Sequence, residues 1–230
     1  MNNLSEEMKA ELLRFGADIA GFGDLSELPE ELREGLPVGI CVAVAYPGEV
    51  IRGIAELPTL EYREWYDKLN ERLDMIVTRG AEALCEKGYR AIAQTREHVG
   101  TGNYESRLLP HKTVATRAGI GWIGKSALLV TEKYGSAVRL SSIYTDAPLM
   151  TAQPVNDSRC GDCLVCTGAC PAGAVLGNVW EAGMKREDLL DAASCRKKAQ
   201  ERSMQGFGGD MTICGKCIEV CPHTRHYIYE

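Results

Sequence analysis

The sequence predicts an α/β (α+β) domain over residues 1–152, followed by a small cysteine-rich domain over residues 153–230. Helix and strand signals alternate through the first two thirds of the chain. The composition then shifts to turn residues in DAPLMTAQPVND at 146–157, and eight of the ten cysteines follow that segment. A chain of 230 residues with 45% hydrophobic residues can bury a proper core in one or two domains.

The first elements follow from the spacing of apolar residues. We expect Ser5 to cap a helix that Gly16 ends. ADIAGFG and VGICVAVAY are short apolar runs that indicate strands, the second of them buried. The longest element is a helix in TLEYREWYDKLNERLDMIVTRGAEALCEKG, where apolar side chains recur at helical spacing.

The later elements of the first domain are shorter. YRAIAQ indicates a strand, and Pro110 can open a helix that Gly119 ends. SALLVT and SAVRLSSIYT indicate strands joined around Tyr134 and Gly135. The alternation of helices and strands predicts a mixed sheet domain.

The cysteines of the second domain form two runs. CGDCLVCTGACP, from Cys160 to Pro171, reproduces the C-x2-C-x2-C-x3-C-P pattern, in which three thiolates bind one [4Fe-4S] cluster and the fourth binds another. CGKCIEVCP, from Cys214 to Pro222, lacks the first cysteine of that pattern. Zinc is the alternative, but a zinc site pairs separated C-x2-C knuckles and does not use the fourth cysteine and its proline. We therefore predict two [4Fe-4S] clusters.

The eighth thiolate follows by elimination. Cys41 lies in a predicted buried strand and Cys85 on the long helix, so each is interpreted as a small apolar core residue. Cys195 lies between the two runs, at the end of REDLLDAASCRKKAQ. We interpret His223 and His226 as surface residues without a ligand role. The predicted metal ligands are Cys160, Cys163, Cys166 and Cys221 for cluster one, and Cys170, Cys195, Cys214 and Cys217 for cluster two.

A glycine-rich segment precedes the second domain. GIGWIGKS, from Gly119 to Ser126, matches the phosphate-binding pattern G-x4-G-K-[ST]. Such a loop needs a strand before it and a helix after it, whereas helix-like HKTVATRA precedes here and strand-like ALLVT follows. We therefore expect no nucleotide binding. Two interpretations remain, namely a glycine-rich turn and a backbone contact with a flat cofactor.

The segment HKTVATRAGIGWIGKSALLVTEKYGSAVRLSSIYTDAPL and the two cysteine runs with a lone cysteine between them resemble the epoxyqueuosine reductase family. That family is related to reductive dehalogenases. The resemblance implies a nitroreductase-like domain that holds base-off cobalamin, next to a ferredoxin-like domain with two [4Fe-4S] clusters. Flavin is the alternative organic cofactor. The implied cofactor-binding residues are Lys112, Gly119, Gly121, Trp122, Gly124, Lys125 and Ser126.

The resemblance also suggests proton donors. An ungapped count places Glu105 where the family has its proton-donating aspartate, and Tyr104 beside it matches the residue type that dehalogenases use. His111 and Lys112 are further polar candidates. The alternative for all four residues is a solvated loop position.

The implied activity is that of a cobalamin- and iron–sulfur-dependent oxidoreductase, supplied with electrons by a ferredoxin or flavodoxin. The family continues after its second cysteine run with a tRNA-engaging region, whereas this sequence ends eight residues after Pro222, and its net charge is −6. We therefore expect a small-molecule substrate rather than tRNA. The alternatives are an electron-transfer protein and a reductive activator of a partner protein's corrinoid.

Charge and hydropathy limit the cellular setting. The acidic balance and the lack of a long basic run argue against DNA binding. The opening MNNLSEEMKAELLRFG lacks the apolar region of a signal peptide, and no apolar stretch approaches the ~20 residues of a membrane span. We expect a cytoplasmic protein without membrane contact, in which clustered cysteines bind metal.

Overall fold

The computed structural model describes residues 3–100 and 109–230. The helices are α1 (Asn3–Arg14), α2 (Gly48–Gly53), α3 (Leu60–Glu86), α4 (Arg96–Gly100), α5 (His111–Arg117), α6 (Val165–Ala169), α7 (Ala192–Phe207), α8 (Lys216–Glu219) and α9 (Pro222–Tyr229). The strands are β1 (Ile19–Asp24), β2 (Val38–Ala45), β3 (Ala91–Ala93), β4 (Gly121–Ile123), β5 (Leu129–Thr131) and β6 (Val138–Thr145). Short 3-10 helices cover Glu30–Arg33 and Arg186–Asp188.

The predicted helices and strands of the first domain are present, and α2, α4 and β4 are additional elements. The role of Ser5 also differs from the prediction. Ser5 lies inside α1 and does not cap it. Its hydroxyl instead accepts a hydrogen bond of 2.7 Å from the backbone N–H of Met150, and the residue is buried. A serine at a helix start is a common cap, but here tertiary contact determines its position.

The chain divides into two compact units, each built from separate segments. Unit 1 contains Met1–Val44, Leu69–Ile120 and Arg139–Val155. Unit 2 contains Ala45–Lys68, Gly121–Val138 and Asn156–Glu230. The last segment of unit 2 begins close to the predicted boundary between residues 152 and 153, but two earlier segments also belong to this unit.

Hydrogen bonds explain why the earlier segments belong to unit 2. The Tyr227 hydroxyl donates to the backbone carbonyl of Tyr46 at 2.8 Å. The backbone N–H of Ser136 donates to Thr224 Oγ1 at 3.0 Å. Side chains of α9 thus form hydrogen bonds with both of the earlier segments of unit 2. The boundary at 152/153 stays a prediction about the folding domains.

A four-stranded sheet in the order β1-β2-β6-β3 dominates unit 1. β1 and β2 are antiparallel, and Ile19 pairs with Ala43. Residues 40–44 of β2 are fully buried, as the continuous apolar run predicts. α5 contacts β1 closely because a Cβ atom on Gly23 would lie 2.6 Å from the carbonyl carbon of Arg117. The glycines of ADIAGFG therefore permit close helix–strand packing.

In the part of the chain that the structure describes, no helix has the length and apolar character needed to cross a membrane.

Candidate functional site

All eight predicted ligands lie in unit 2. Cys195 lies on the 16-residue helix α7, and the other seven lie on short helices and their flanking turns. In the first run, Cys166 lies within α6 and Cys170 directly follows that helix. In the second run, Cys217 lies within α8 and Cys221 directly precedes α9. Gly215, with a φ of +74°, forms the turn that begins α8, which glycine adopts without strain.

The thiols of cluster one surround a common space. Cys160, Cys163, Cys166 and Cys221 line one cavity of about 110 Å³, which Cys217 also borders. Burial raises the pKa of the Cys166 thiol, and three neighbouring thiols raise it further, namely those of Cys160, Cys221 and Cys163. Soft sulfur donors around a space of this size fit a multi-iron cluster.

The other four thiols form a second group. Burial raises the pKa of the Cys195 thiol, and the thiols of Cys170 and Cys214 add to that effect. Burial also raises the pKa of the Cys217 thiol. Smaller increases come from the neighbouring thiols of Cys214, Cys195, Cys166 and Cys170. The grouping agrees with crossed ligation between the two runs. The assignment of individual ligands stays a prediction.

The raised pKa values determine how metal binds. A thiol with a raised pKa is protonated at neutral pH, and a metal must displace that proton to bind the thiolate. Cluster assembly therefore releases protons. Within residues 3–100 and 109–230, no three His, Cys, Asp or Glu side chains converge in the arrangement of a single-ion site.

The glycine-rich segment forms a hairpin at the same cavity. β4 and β5 are antiparallel, and the backbone N–H of Gly124 donates to the carbonyl of Leu128 at 2.8 Å. The turn residues Gly124, Lys125 and Ser126 line the cavity with the cluster-one thiols. A Cβ atom on Gly124 would lie 3.5 Å from Cys160 Sγ. Glycine at this position keeps the hairpin close to the predicted ligand.

The structure revises the interpretation of this segment as a simple turn. Residues 121–123 form β4, and only the residues after it turn. A helix precedes the segment and a strand follows it, as the sequence predicted. The turn therefore has no following helix whose N-terminus could bind phosphate. The absence of nucleotide binding remains a prediction.

Two side chains at the cavity were not recognised as site residues from the sequence. His223 lines the cavity and meets the Trp122 ring edge-on, with 5.0 Å between ring centroids. His223 is half-buried at this cavity, whereas His226 is exposed, as expected. Arg159 also lines the cavity, and its guanidinium lies 5.4 Å from the centroid of the Trp122 ring. In the sequence, the only indication that Arg159 and His223 belong to the site is that they lie close to Cys160 and Cys221, respectively.

The described residues that line this cavity do not include the other predicted cofactor-binding residues. Gly121 lies in β4, where a Cβ atom would approach the Val130 carbonyl oxygen to 2.2 Å. Gly119 follows α5 with a φ of +66°, and it belongs to unit 1 together with Lys112. Tyr104 and Glu105 lie outside the described residues.

The two remaining cysteines lie in unit 1, and their environments differ. Cys41 is fully buried on β2, as predicted. Cys85 is exposed, so its interpretation as a core residue is wrong. Leu84 occupies the buried side of α3, and the next residue is rotated by about 100° around the helix axis.

His111 is the first residue of α5 and is largely removed from solvent. Its Nδ1 atom lies 3.0 Å from Ser142 Oγ. Burial lowers the pKa of His111 to about 4, Arg139 lowers it further, and Asp74 opposes both effects. The alternative of a solvated loop position therefore does not describe this side chain.

We expect the His111 imidazole to titrate near pH 4 instead of near 6.5. Because the unfolded chain binds this proton at higher pH, the stabilising contribution is complete above about pH 6.5 and is lost as pH falls toward about 4. Histidine-selective NMR measures the titration. Ser142→Ala is the control, since burial is the main cause and the low pKa should persist. Titration of the wild-type residue near pH 6.5 would contradict this assignment.

Comparison with known proteins identifies the second domain. A family model described as a 4Fe-4S double cluster binding domain matches residues 159–224. The match confirms the prediction of two [4Fe-4S] clusters. It favours these clusters over the zinc alternative. It spans all eight cysteines of unit 2.

A curated relative matches most of the chain. The epoxyqueuosine reductase of Listeria monocytogenes is 31% identical over 196 residues, which make up 81% of this chain and 48% of that protein. The chain spans about half the length of the curated relatives it matches.

Solved structures share the fold. An epoxyqueuosine reductase with an epoxyqueuosine-modified tRNA stem loop gives a TM-score of 0.64 at 22% identity, covering 96% of this chain and 65% of the other. A reductive dehalogenase whose structure suggests a mechanism for B12-dependent dehalogenation gives 0.73 at 19% identity, covering 94% and 31%. These likenesses confirm the predicted fold class, a nitroreductase-like domain combined with a small ferredoxin-like domain. A chain that shares this fold, a double-cluster domain and almost a third of its aligned residues with a curated epoxyqueuosine reductase belongs to the epoxyqueuosine reductase-like family.

Proposed function

We propose that this protein is an iron–sulfur, cobalamin-dependent reductase. One observation carries the proposal: the four thiols assigned to cluster one line the same cavity as Gly124, Lys125 and Ser126 of the β4–β5 turn. The resemblance assigns that turn to the corrinoid. An electron on cluster one would therefore be adjacent to the cofactor that uses it.

Three polar groups near the turn would hold the corrinoid. Lys125 is 4% exposed, and no described residue forms a hydrogen bond or ion pair with its side chain. The indole N–H of Trp122 is buried and has no acceptor among the described residues. Ser126 is also buried. A buried donor without a partner, such as the Trp122 indole N–H, is costly, and the carboxamide oxygens at a corrinoid's edge are suitable acceptors.

When bound, cobalamin would supply a metal centre that accepts low-potential electrons and transfers them to an electrophilic substrate. Around it, the ammonium of Lys125 would fix the orientation of the cofactor edge. Gly124 would keep the backbone close to both the cofactor and Cys160. The proton donor stays a proposal among Tyr104, Glu105 and other polar residues.

We propose a small organic electrophile as the substrate. The support is the net charge of −6, which opposes binding to a polyanion such as RNA. An epoxyqueuosine reductase of similar fold was crystallised with a tRNA stem loop, so tRNA is the alternative substrate that the assay must include. Turnover with a strong reductant should therefore compare tRNA containing epoxyqueuosine with a panel of small electrophiles. Efficient reduction of the tRNA would contradict the proposed substrate class and leave the reductase assignment intact.

The cofactor is tested with Lys125→Met, which keeps an unbranched side chain and removes the ammonium. We expect wild-type protein, reconstituted anaerobically, to retain cobalamin on gel filtration. Its Co(II) electron paramagnetic resonance lines should lack the nitrogen splitting of a base-on form. The variant should bind cobalamin at least about tenfold more weakly, a loss of about 1.4 kcal/mol, with unchanged iron content.

Lys9→Met is the matched control, because Lys9 is exposed on α1 and belongs to unit 1. Gly121 is unsuitable for this test, because its substitution would disrupt the hairpin irrespective of any ligand. If cobalamin elutes freely from wild-type protein that holds both clusters, the electron-transfer or activator function replaces the reductase. Retention of flavin instead would assign the alternative cofactor.

A further inference from the structure

We propose that unit 2 carries a docking face for an acidic one-electron carrier protein of the ferredoxin type, located next to cluster two. The docking face consists of Leu164, Leu176, Arg186, Arg196 and Lys197. The inference deepens the proposed function, because it names the surface through which electrons arrive. It rests on the assignment of Cys170 and Cys195 to cluster two.

The centre of the docking face is apolar and exposed. Leu164 is 56% exposed and Leu176 is 48% exposed. They lie close together, because a Cβ atom on Gly177 would be 3.6 Å from Leu164 Cδ2. Exposed large apolar side chains grouped on one surface commonly mark an interaction site.

Backbone contacts connect this apolar centre to cluster two. The N–H of Leu176 donates to the carbonyl of Leu189 at 3.0 Å, and the N–H of Asp191 donates to the carbonyl of Ala174 at 2.9 Å. The N–H of Ala174 in turn donates to Cys170 Sγ at 3.4 Å. Asp191 caps α7, the helix that carries Cys195. Leu176 therefore lies on the segment that supports two ligands predicted for cluster two. Leu164 is close to this segment and lies between Cys163 and Cys166 of the first cysteine run.

Three cations near Cys195 complete the docking face that we propose. Arg196 and Lys197 directly follow Cys195 and are exposed. Arg186 is also exposed, and it is close enough to Cys195 to oppose the pKa increase that burial causes in that thiol. Among the described residues, no acidic side chain forms an ion pair with any of these three cations. The pKa of Glu201 is lowered mainly by the hydrogen bond from Lys198 and to a lesser degree by the charge of Lys197. The three cations remain exposed and can contact a partner.

Three of the four acidic residues in the stretch 185–201 are already engaged. The Asp191 carboxylate accepts hydrogen bonds from the N–H groups of Ala193 and Ser194. Asp188 accepts one from the N–H of Lys185 at 3.1 Å. Glu201 is paired with Lys198. Glu187 is the remaining exposed carboxylate between Lys185 and Asp191. The protein is acidic as a whole, so this cationic rim is a local exception.

An acidic carrier protein fits this surface better than RNA does. Transient electron-transfer contacts bury less than about 1,200 Å², and a small apolar centre with a charged rim is suited to such contacts. Opposite charges on the partners steer encounter and fix the orientation. Three exposed cations can neutralise only a few phosphates of an RNA. Their position beside a predicted cluster ligand is useful to a partner that transfers electrons, and RNA does not do so.

The transfer involves one electron and no proton. With the carrier held by these residues, it would give up one electron and become oxidised, and cluster two would accept that electron. No bond is made or broken. Cys160, Cys163, Cys166 and Cys221 would hold the cluster that accepts the electron next, at the cavity beside the β4–β5 turn.

The test is charge reversal in the reconstituted protein. In the double variant Arg196→Glu/Lys197→Glu, stopped-flow reduction of the clusters by a reduced acidic ferredoxin at low ionic strength should slow by about 10- to 100-fold. The wild-type rate should fall as salt rises, because charges are screened beyond about 10 Å at 0.1 M ionic strength. Calorimetric affinity for the oxidised ferredoxin, which needs no turnover, should fall in parallel.

Lys9→Glu/Arg14→Glu is the matched control, with the same change in net charge on exposed positions of α1 in unit 1. It should retain the wild-type rate, and both double variants should accept electrons normally from a small neutral photoreductant. Leu176→Ser tests the apolar centre without a charge change. Equal rates in wild type and the Arg196/Lys197 variant would overturn the docking face, as would a variant that loses RNA binding while keeping its ferredoxin rate. Absence of clusters in the wild type would instead contradict the proposed function.

Discussion

Replacing Cys195 with serine is expected to remove one cluster and leave the other. Iron and sulfide should fall from about eight of each per chain to about four, because each [4Fe-4S] cluster needs four ligands. The Cys195 thiol is partly buried, and the thiols of Cys170 and Cys214 lie near it. The cavity assigned to cluster one does not include it. Cluster one should therefore still assemble, and electron paramagnetic resonance of the reduced protein should show one centre without magnetic coupling to a second.

The control variants are Cys41→Ser and Cys85→Ser, both in unit 1. Each should keep about eight iron atoms, although Cys41→Ser places a hydroxyl in a fully buried site and should lower stability. Cys195→Ala excludes ligation by a serine oxygen. Two intact clusters in Cys195→Ala would show that the eighth ligand lies elsewhere. Cys160→Ser should give the reciprocal result, losing cluster one and keeping cluster two.

Local sequence patterns predicted the helices, the strands and the cysteine groups well. The apolar spacing within α3 and the continuous apolar run of β2 both reflect burial, which acts over a few neighbouring residues. Cysteine spacing is similarly informative, because a cluster imposes fixed gaps on the ligands of one run. The elimination that selected Cys195 agrees with its position beside Cys170 and Cys214.

Long-range packing was not predictable in the same way. No local pattern assigns residues 45–68 and 121–138 to the unit that holds the cysteines. β4 has only three residues, so its strand signal was hidden by the glycines around it. The exposure of Cys85 depends on which side of α3 faces the core at its last turn. The position of His223 at the cavity depends on the contact between α9 and the β4–β5 hairpin, which a single sequence does not reveal.

Replacing Gly135 with alanine is expected to be among the most destabilising single substitutions in unit 2. Gly135 has a φ of +55°, and a Cβ atom there would lie 2.2 Å from the backbone nitrogen of Thr224. Thr224 is fully buried, and its hydroxyl accepts the hydrogen bond from the N–H of Ser136. A backbone atom cannot move away from the added Cβ atom as the end of a flexible side chain can. Either α9 or the turn at Gly135 must therefore shift. We expect a loss of about 4 kcal/mol or more.

The shift should also reach the metal site, because Thr224 follows Cys221 by three residues at the start of α9. Gly208→Ala is the matched control: Gly208 has a φ of +71°, and nothing lies within 4 Å of its Cβ position. That control should cost only about 1–2 kcal/mol, the strain of a left-handed conformation. Thermal unfolding and iron content, measured side by side, separate the two effects. Gly135→Ala should melt well below Gly208→Ala and lose cluster-one iron first, since the displaced Cys221 is a predicted ligand of that cluster alone. Equal melting temperatures with full iron content would mean that α9 is not fixed by this contact, and that Cys221 is held in place by its cluster instead.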